Sequence, residues 1–178
     1  MRYRRTIVPG GTFFFTLVTQ DRRPLFTDPE SIDCLREAFR AVKTKRPFRI
    51  DAIVIMPDHL HCIWTLPSDD ADYSLRWRLV KTWATKHWPR PLPSPADPAR
   101  RARGEQALWQ HRYWEHTIRD EDDFSRHVDY IHYNPVKHGY VDRAADWAYS
   151  SFRRFVEAGL YPRDWACKDE VLDGVGHE

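Results

Sequence analysis

The chain has 178 residues and a mass of 21.3 kDa, the size of one domain or one domain with an appendage, which can bury a core without disulfides or metal staples. Hydrophobic residues make up 42% and charged residues 30%, which excludes a disordered or membrane-embedded chain. The net charge of +2 hides its distribution: residues 1–23 carry five Arg against one Asp, residues 76–104 carry eight Lys and Arg against one Asp, and acid collects at 120–123 and 164–178. Two basic segments in acidic surroundings suit a protein that grips phosphate locally.

The elements follow in chain order. Residues 12–19, β-branched and aromatic after Gly10-Gly11, predict a first strand. Ile32, Leu35, Phe39 and Val42 recur at helical spacing within 29–45, and Pro47 ends that helix. Residues 48–56 and 59–66 predict two strands joined by a tight turn at Pro57-Asp58. A second helix is expected over 74–88, capped by Ser74, with Leu75, Leu79, Val80 and Trp83 on one face. Residues 89–104 hold five of the 13 prolines and read as an extended or disordered excursion. A fourth strand is predicted at 113–118, then a helix over 121–133 capped by Asp120 and broken at Asn134-Pro135. A last short helix covers 151–158 and ends at Gly159.

The order strand, helix, strand, strand, helix, strand is the split βαβ pattern of ferredoxin-like folds. It predicts an α+β architecture, one antiparallel sheet with helices on one face. Cys34, Cys62 and Cys167 are odd in number and form no C-x-x-C pair, so reduced structural thiols are expected. No stretch approaches the ~20 apolar residues of a membrane span. The basic start Met1 to Arg5 leads into no cleavable leader pattern, so no membrane partner and a cytoplasmic location are expected.

Two features carry chemistry. His59 and His61 stand two apart in a predicted strand, which puts both imidazoles on one face in metal-chelating geometry. Ordinary polar-face histidines are the competing reading. Tyr130 and Asn134 stand four apart on a predicted helix and share a face about one turn from each other. There the competing reading is a half-buried aromatic and a turn-capping amide.

The segment Val54-Ile55-Met56-Pro57-Asp58-His59-Leu60-His61-Cys62-Ile63-Trp64 resembles the His-hydrophobic-His strand of the HUH endonucleases. The segment His127-Val128-Asp129-Tyr130-Ile131-His132-Tyr133-Asn134-Pro135-Val136-Lys137-His138-Gly139 resembles the tyrosine-bearing helix of the REP-associated tyrosine transposases, related to the IS200/IS605 single-tyrosine transposases. Similarity extends from Tyr3-Arg4-Arg5 to Phe15, from Trp109-Gln110 to Arg119 and from Asp146-Trp147 to Trp165, leaving out 89–104.

The resemblance implies a single-tyrosine nuclease domain over 1–140, with 89–104 as an insertion, and a C-terminal helical extension over 141–178 packing on or near the active site. It implies that His59, His61 and Asn134 hold a divalent metal, Mg²⁺ or Mn²⁺. Relatives in the wider group often carry a longer Gln or Glu at the Asn134 position. Tyr130 would be the nucleophile, giving a 5′-phosphotyrosine and a free 3′-OH. The implied partner is single-stranded DNA with a REP palindromic hairpin. Candidate DNA-contacting groups are Arg2, Arg4, Arg5, Arg76, Arg78, Lys81 and Lys86, with a solvated cationic face as the alternative for each. Trp77, Trp88, Tyr113 and Trp114 are core residues or base-stacking groups. His127 is either a helper in deprotonating Tyr130 or a solvated histidine. The implied site is completed within one subunit, a monomer, whereas IS200-type relatives assemble theirs across a dimer. Two rival activities remain: a hairpin-binding protein that retains the fold without cleaving, and a metal-dependent hydrolase using water instead of Tyr130.

Overall fold

A computed structural model describes residues 7–92, 98–103 and 107–166. Arg2, Arg4, Arg5 and Cys167 lie outside the described residues. The elements are β1 (Thr12–Val18), α1 (Pro29–Lys45), β2 (Arg49–Ile55), β3 (His59–Thr65), α2 (Tyr73–Lys86), α3 (Pro98–Ala102), β4 (Trp114–Thr117), α4 (Glu121–Lys137) and α5 (Phe152–Glu157).

The four strands form one antiparallel sheet in the order β2-β3-β1-β4. β1 and β2 run parallel with β3 inserted between them, the split βαβ arrangement expected from the element order. The period-two alternation assigns each strand's two faces. Phe13, Phe15 and Leu17 of β1 and Leu60, Cys62 and Trp64 of β3 pack against Leu35, Phe39 and Val42 of α1 and Tyr73, Trp77 and Val80 of α2. Phe14, Ala52, Val54 and Ile63 meet Val128, Tyr130 and Ile131 of α4 on the opposite face. A register shift at Ile50/Ala52 lets Ile50 and Ile53 share one face while Ala52 and Val54 share the other.

The expected one-face arrangement therefore holds for α1 and α2, the helices of the split βαβ. α4 departs from it, because Phe14 and Ile63 make the second face apolar and need a cover of their own.

Asp72, and not Ser74, caps α2 by accepting from the Leu75 N–H at 2.9 Å. The buried stripe of α2 is Tyr73, Trp77, Val80 and Ala84, while Leu79 is 36% exposed. Of the expected face of Leu75, Leu79, Val80 and Trp83 only Val80 is fully buried, because Trp77 turns the helix inward by stacking on Trp64, with centroids 3.9 Å apart. Trp77 is thus a core residue. Within the excursion 89–104, Pro98–Ala102 forms a turn of helix.

Asp120 caps α4 as expected, accepting from the Asp123 N–H at 2.8 Å. The expected break at Asn134-Pro135 does not occur, and α4 runs through Pro135 to Lys137. Burial of Ile131, Asn134, Pro135 and Val136 outweighs the local bias of a residue preceding proline. The helix ends instead at Gly139, φ +71°, where Tyr140 N–H donates to the Pro135 carbonyl and Gly139 N–H to that of Val136.

Residues beyond α4 return to the sheet. Ile55 N–H donates to the Tyr149 carbonyl, Ser151 N–H to that of Ile53, and the Trp147 indole N–H to that of Ile55. The segment 147–151 thus covers the free edge of β2. Cys34 and Cys62 are buried free thiols.

Candidate active site

His59 and His61 project from β3 on the α4 side, 2% and 0% exposed, with ring centroids 4.9 Å apart. Tyr130, buried in the middle of α4, brings its ring within 5.1 Å of the His61 ring. One helical turn on, Asn134 Oδ1 lies 3.3 Å from His59 Nε2. These four residues, from a strand and a helix distant in sequence, meet within one chain. Lys137 carries its ammonium 5.0 Å from the Tyr130 ring centroid.

Neighbours that the sequence did not single out orient both imidazoles. His59 Nδ1 is 2.6 Å from Asp58 Oδ1, and Arg22 donates to the other Asp58 oxygen at 3.3 Å. His61 Nδ1 is 2.8 Å from Thr16 Oγ1, its cross-strand partner on β1. With Asp58 accepting from Nδ1–H, His59 Nε2 presents a lone pair toward Asn134 Oδ1. Two acceptors then face each other at 3.3 Å. Asn134 is fully buried, and its Nδ2 makes no hydrogen bond among the described residues. Two imidazoles and an amide oxygen gathered in one buried place are a donor set that suits a divalent cation. The pairing of Asp58 with the next residue in the chain was the available signal, since a metal-bound imidazole ordinarily donates its other N–H to a carboxylate.

A second polar cluster lies on the far side of the Phe14 ring, whose centroid is 5.5 Å from His61 and 4.8 Å from His127. His116, Asp123 and His127 bring ligand-type atoms within 4.8 Å of one another. Asp123 Oδ2 accepts from His116 Nε2 at 2.8 Å and from the Arg119 N–H at 3.0 Å. His127 Nδ1 donates to the Asp123 carbonyl at 2.7 Å. Burial alone would raise the Asp123 carboxyl, but the bonds from His116 and Arg119 outweigh it and lower the pKa to about 2. Burial lowers the pKa of His127. This is a hydrogen-bonded hub that ties β4 to α4 one turn before Tyr130. His127 is 7% exposed, so the solvated reading of it is corrected. The spacing of Asp123 and His127, four apart on one helix, could have revealed half of the hub.

The cationic candidates separate. Arg76 is 1% exposed and donates to Asp70 at 2.7 Å and to the Asp72 and Pro47 carbonyls at 3.0 and 2.9 Å. Its guanidinium is turned inward to hold the 67–72 loop, which removes it from the DNA-contacting set. Arg78 and Lys81 line an open groove of about 660 Å³ together with Asp72, Ser74, His111 and Tyr113. Lys81 also donates to the Gln110 carbonyl at 2.6 Å. Lys86 is exposed near the end of α2. This groove and the His59–His61–Tyr130 site lie on opposite sides of the sheet.

No helix among the described residues is long and apolar enough to cross a membrane. The family model described as "Transposase IS200 like" matches residues 10–134, which include β1 through Asn134. The REP-associated tyrosine transposase of Escherichia coli K12 is 46% identical over 164 residues, covering 92% of this chain and 90% of that protein. A Haemophilus influenzae relative is 44% identical over 163 residues, covering 92% of each. The solved structure of a REP-associated tyrosine transposase bound to a REP hairpin superposes with a TM-score of 0.78 at 42% identity, covering all of this chain and 99% of that one. With the fold, the matched span and the identity in agreement, the chain belongs to the IS200-like transposases and, among them, to the REP-associated tyrosine transposases.

Proposed function

We propose that this protein is a single-stranded DNA endonuclease and strand transferase acting at the foot of REP-type hairpins, with Tyr130 as its nucleophile. The observation that carries this reading is the convergence of His59, His61, Tyr130 and Asn134 in one buried place within a single chain. That convergence also favours a site complete in the monomer. The hairpin as partner is supported by the solved relative, whose structure is of a complex with a REP hairpin.

In the proposed step the Tyr130 phenol oxygen forms a bond to the scissile phosphorus. The bond from phosphorus to the 3′ oxygen breaks, and that oxygen leaves as a free 3′-OH. The 5′-phosphotyrosine conserves the bond energy, so another 3′-OH can reverse the step and join strands. His59, His61 and Asn134 would hold Mg²⁺ or Mn²⁺, which when bound polarises the phosphate oxygens. Asp58 fixes the tautomer and orientation of His59, and Thr16 orients His61. Lys137 places positive charge beside the ring where the phosphate's negative charge arrives.

In this reading residues 1–140 form the nuclease unit, and 141–178 an extension whose segment 147–151 closes the β2 edge. Arg78, Lys81 and Lys86 lie across the sheet from Tyr130. They would contact parts of the DNA remote from the scissile phosphate, such as the hairpin stem, and Arg2, Arg4 and Arg5 are further candidates for phosphate contacts.

The test is incubation of wild type and Tyr130→Phe with end-labelled hairpin oligonucleotide and Mg²⁺ or Mn²⁺. A covalent protein–DNA adduct that the variant cannot form is expected. Binding without cleavage would point to a hairpin-binding protein, and cleavage surviving in the variant to a hydrolase using water.

A further inference from the structure

His59 lies at the inner end of a series of neighbouring rings. Ring neighbours continue outward from it: His59 lies 5.4 Å from His138, His138 is 6.4 Å from Tyr140, Tyr140 is 5.5 Å from Trp147, and Trp147 is 6.0 Å from Tyr149. Burial falls along the series, from His59 at 2% exposure to Tyr140 at 50%. The bonds that close α4 fix the backbone that carries His138 and Tyr140, since Tyr140 N–H donates to the Pro135 carbonyl and Gly139 N–H to that of Val136. Trp147 is anchored by its indole N–H on the Ile55 carbonyl at 3.0 Å.

Packing accounts for Trp147 and Tyr149, which accompany the segment over the β2 edge. It does not account for Tyr140, a large ring half in water at the mouth of a nuclease-type site. Adjacent rings along Tyr140 and Trp147 are tilted by 43°, too close and too inclined for a base to enter between them. A base would lie on their outer faces.

Resting on the proposed cleavage reaction, we propose that Tyr140, continued by Trp147, is a stacking platform for a base flanking the scissile phosphate. Every base has a π-face, so such a platform orders the strand without demanding one sequence, and it directs the adjoining phosphate toward His59 and Tyr130. Tyr140 thereby acts as a positioning residue. The occupant is single-stranded DNA and not an apolar protein, because the track is continuous with the site where the phosphate must lie.

The experiment pairs wild type, Tyr140→Ala and Tyr140→Phe with hairpin oligonucleotides carrying one abasic nucleotide at each position flanking the cleavage site. Affinity is read by fluorescence anisotropy and cleavage by adduct formation. Tyr140→Ala is expected to weaken binding of the intact strand about 5- to 100-fold, Tyr140→Phe to restore it, and one abasic position to erase the difference between wild type and Tyr140→Ala. Equal affinity of wild type and Tyr140→Ala for the intact strand overturns the platform. So does a loss that persists unchanged at every abasic position. If wild type forms no adduct while the position-specific loss appears, cleavage by Tyr130 fails and the platform stands. If the adduct forms without that loss, the reverse holds.

Discussion

Acid should weaken this fold through His132 in a measurable and removable way. His132 is fully buried, its ring 5.4, 4.7 and 5.7 Å from those of Phe152, Phe155 and Tyr161, and its Nε2 is 2.9 Å from Ser151 Oγ. Burial, reinforced by the nearby Arg154, lowers its pKa from 6.5 to about 3. The folded state therefore refuses a proton that the unfolded chain accepts as pH falls through 6.5. Stability is lost from that pH downward, with the slope levelling off only near pH 3. Linkage gives a loss of ~2 kcal/mol between pH 7 and pH 5 from this group. His127, also depressed by burial, adds a smaller change of the same sign. Urea unfolding of wild type and His132→Phe at several pH values between 5 and 7 separates slope from absolute stability. The variant cannot titrate at this position, so its stability should decline by ~2 kcal/mol less over that range, whatever its stability at pH 7. An unchanged slope in His132→Phe would refute the assignment.

Other consequences are more local. Asp58→Asn removes the carboxylate that fixes His59 and should lower Mn²⁺ affinity about 10- to 100-fold by titration calorimetry; unaltered affinity would exclude Asp58 from supporting the metal. Trp77→Ala opens a hole beside Trp64 and should cost ~3–5 kcal/mol in urea unfolding, with a loss below 1 kcal/mol contradicting its place at the centre of the core. Arg76→Ala should destabilise the fold by about 1–3 kcal/mol, because it removes the bonds from the buried guanidinium to Asp70 and to the Asp72 and Pro47 carbonyls. Lys86→Ala should leave stability unchanged but flatten the salt dependence of hairpin binding by about 0.7–0.9 in log–log slope; the opposite pattern would reverse their inferred roles.

Much of the fold is legible in the sequence because β1, α1, β2 and β3 each combine a clear period with a clear stop signal. His59 and His61 share a face by strand periodicity, and Tyr130 and Asn134 share one by helical spacing, so the four candidate residues can be named before any coordinates. Their convergence depends on α4 crossing the face of the sheet opposite α1 and α2, which no local pattern specifies. The signal for it lies in composition: Phe14 and Ile63 are apolar at positions that a one-sided sheet would leave polar. Arg76 illustrates the converse limit. Its helical position next to Trp77 places it inward, yet charge alone suggests a surface, and only the Asp70 carboxylate and two carbonyls explain its burial. The hub of His116, Asp123 and His127 joins a strand to a helix through side-chain bonds whose partners sequence spacing reveals only in part. Pro135 reads locally as a helix end, but the apolar environment of Val136 and Ile131 carries α4 beyond it.

In the proposed reaction Tyr130 forms the covalent link to DNA. Trapping the adduct on hairpin oligonucleotide, digesting with nuclease and trypsin, and fragmenting the peptide His127 to Lys137 by mass spectrometry tests it directly, because that peptide holds both Tyr130 and Tyr133. Tyr133 packs instead beside Val136 and Phe152, away from His61. A nucleotide phosphate on Tyr130 alone is expected. A nucleotide on Tyr133, or an adduct on a peptide without Tyr130, would contradict it.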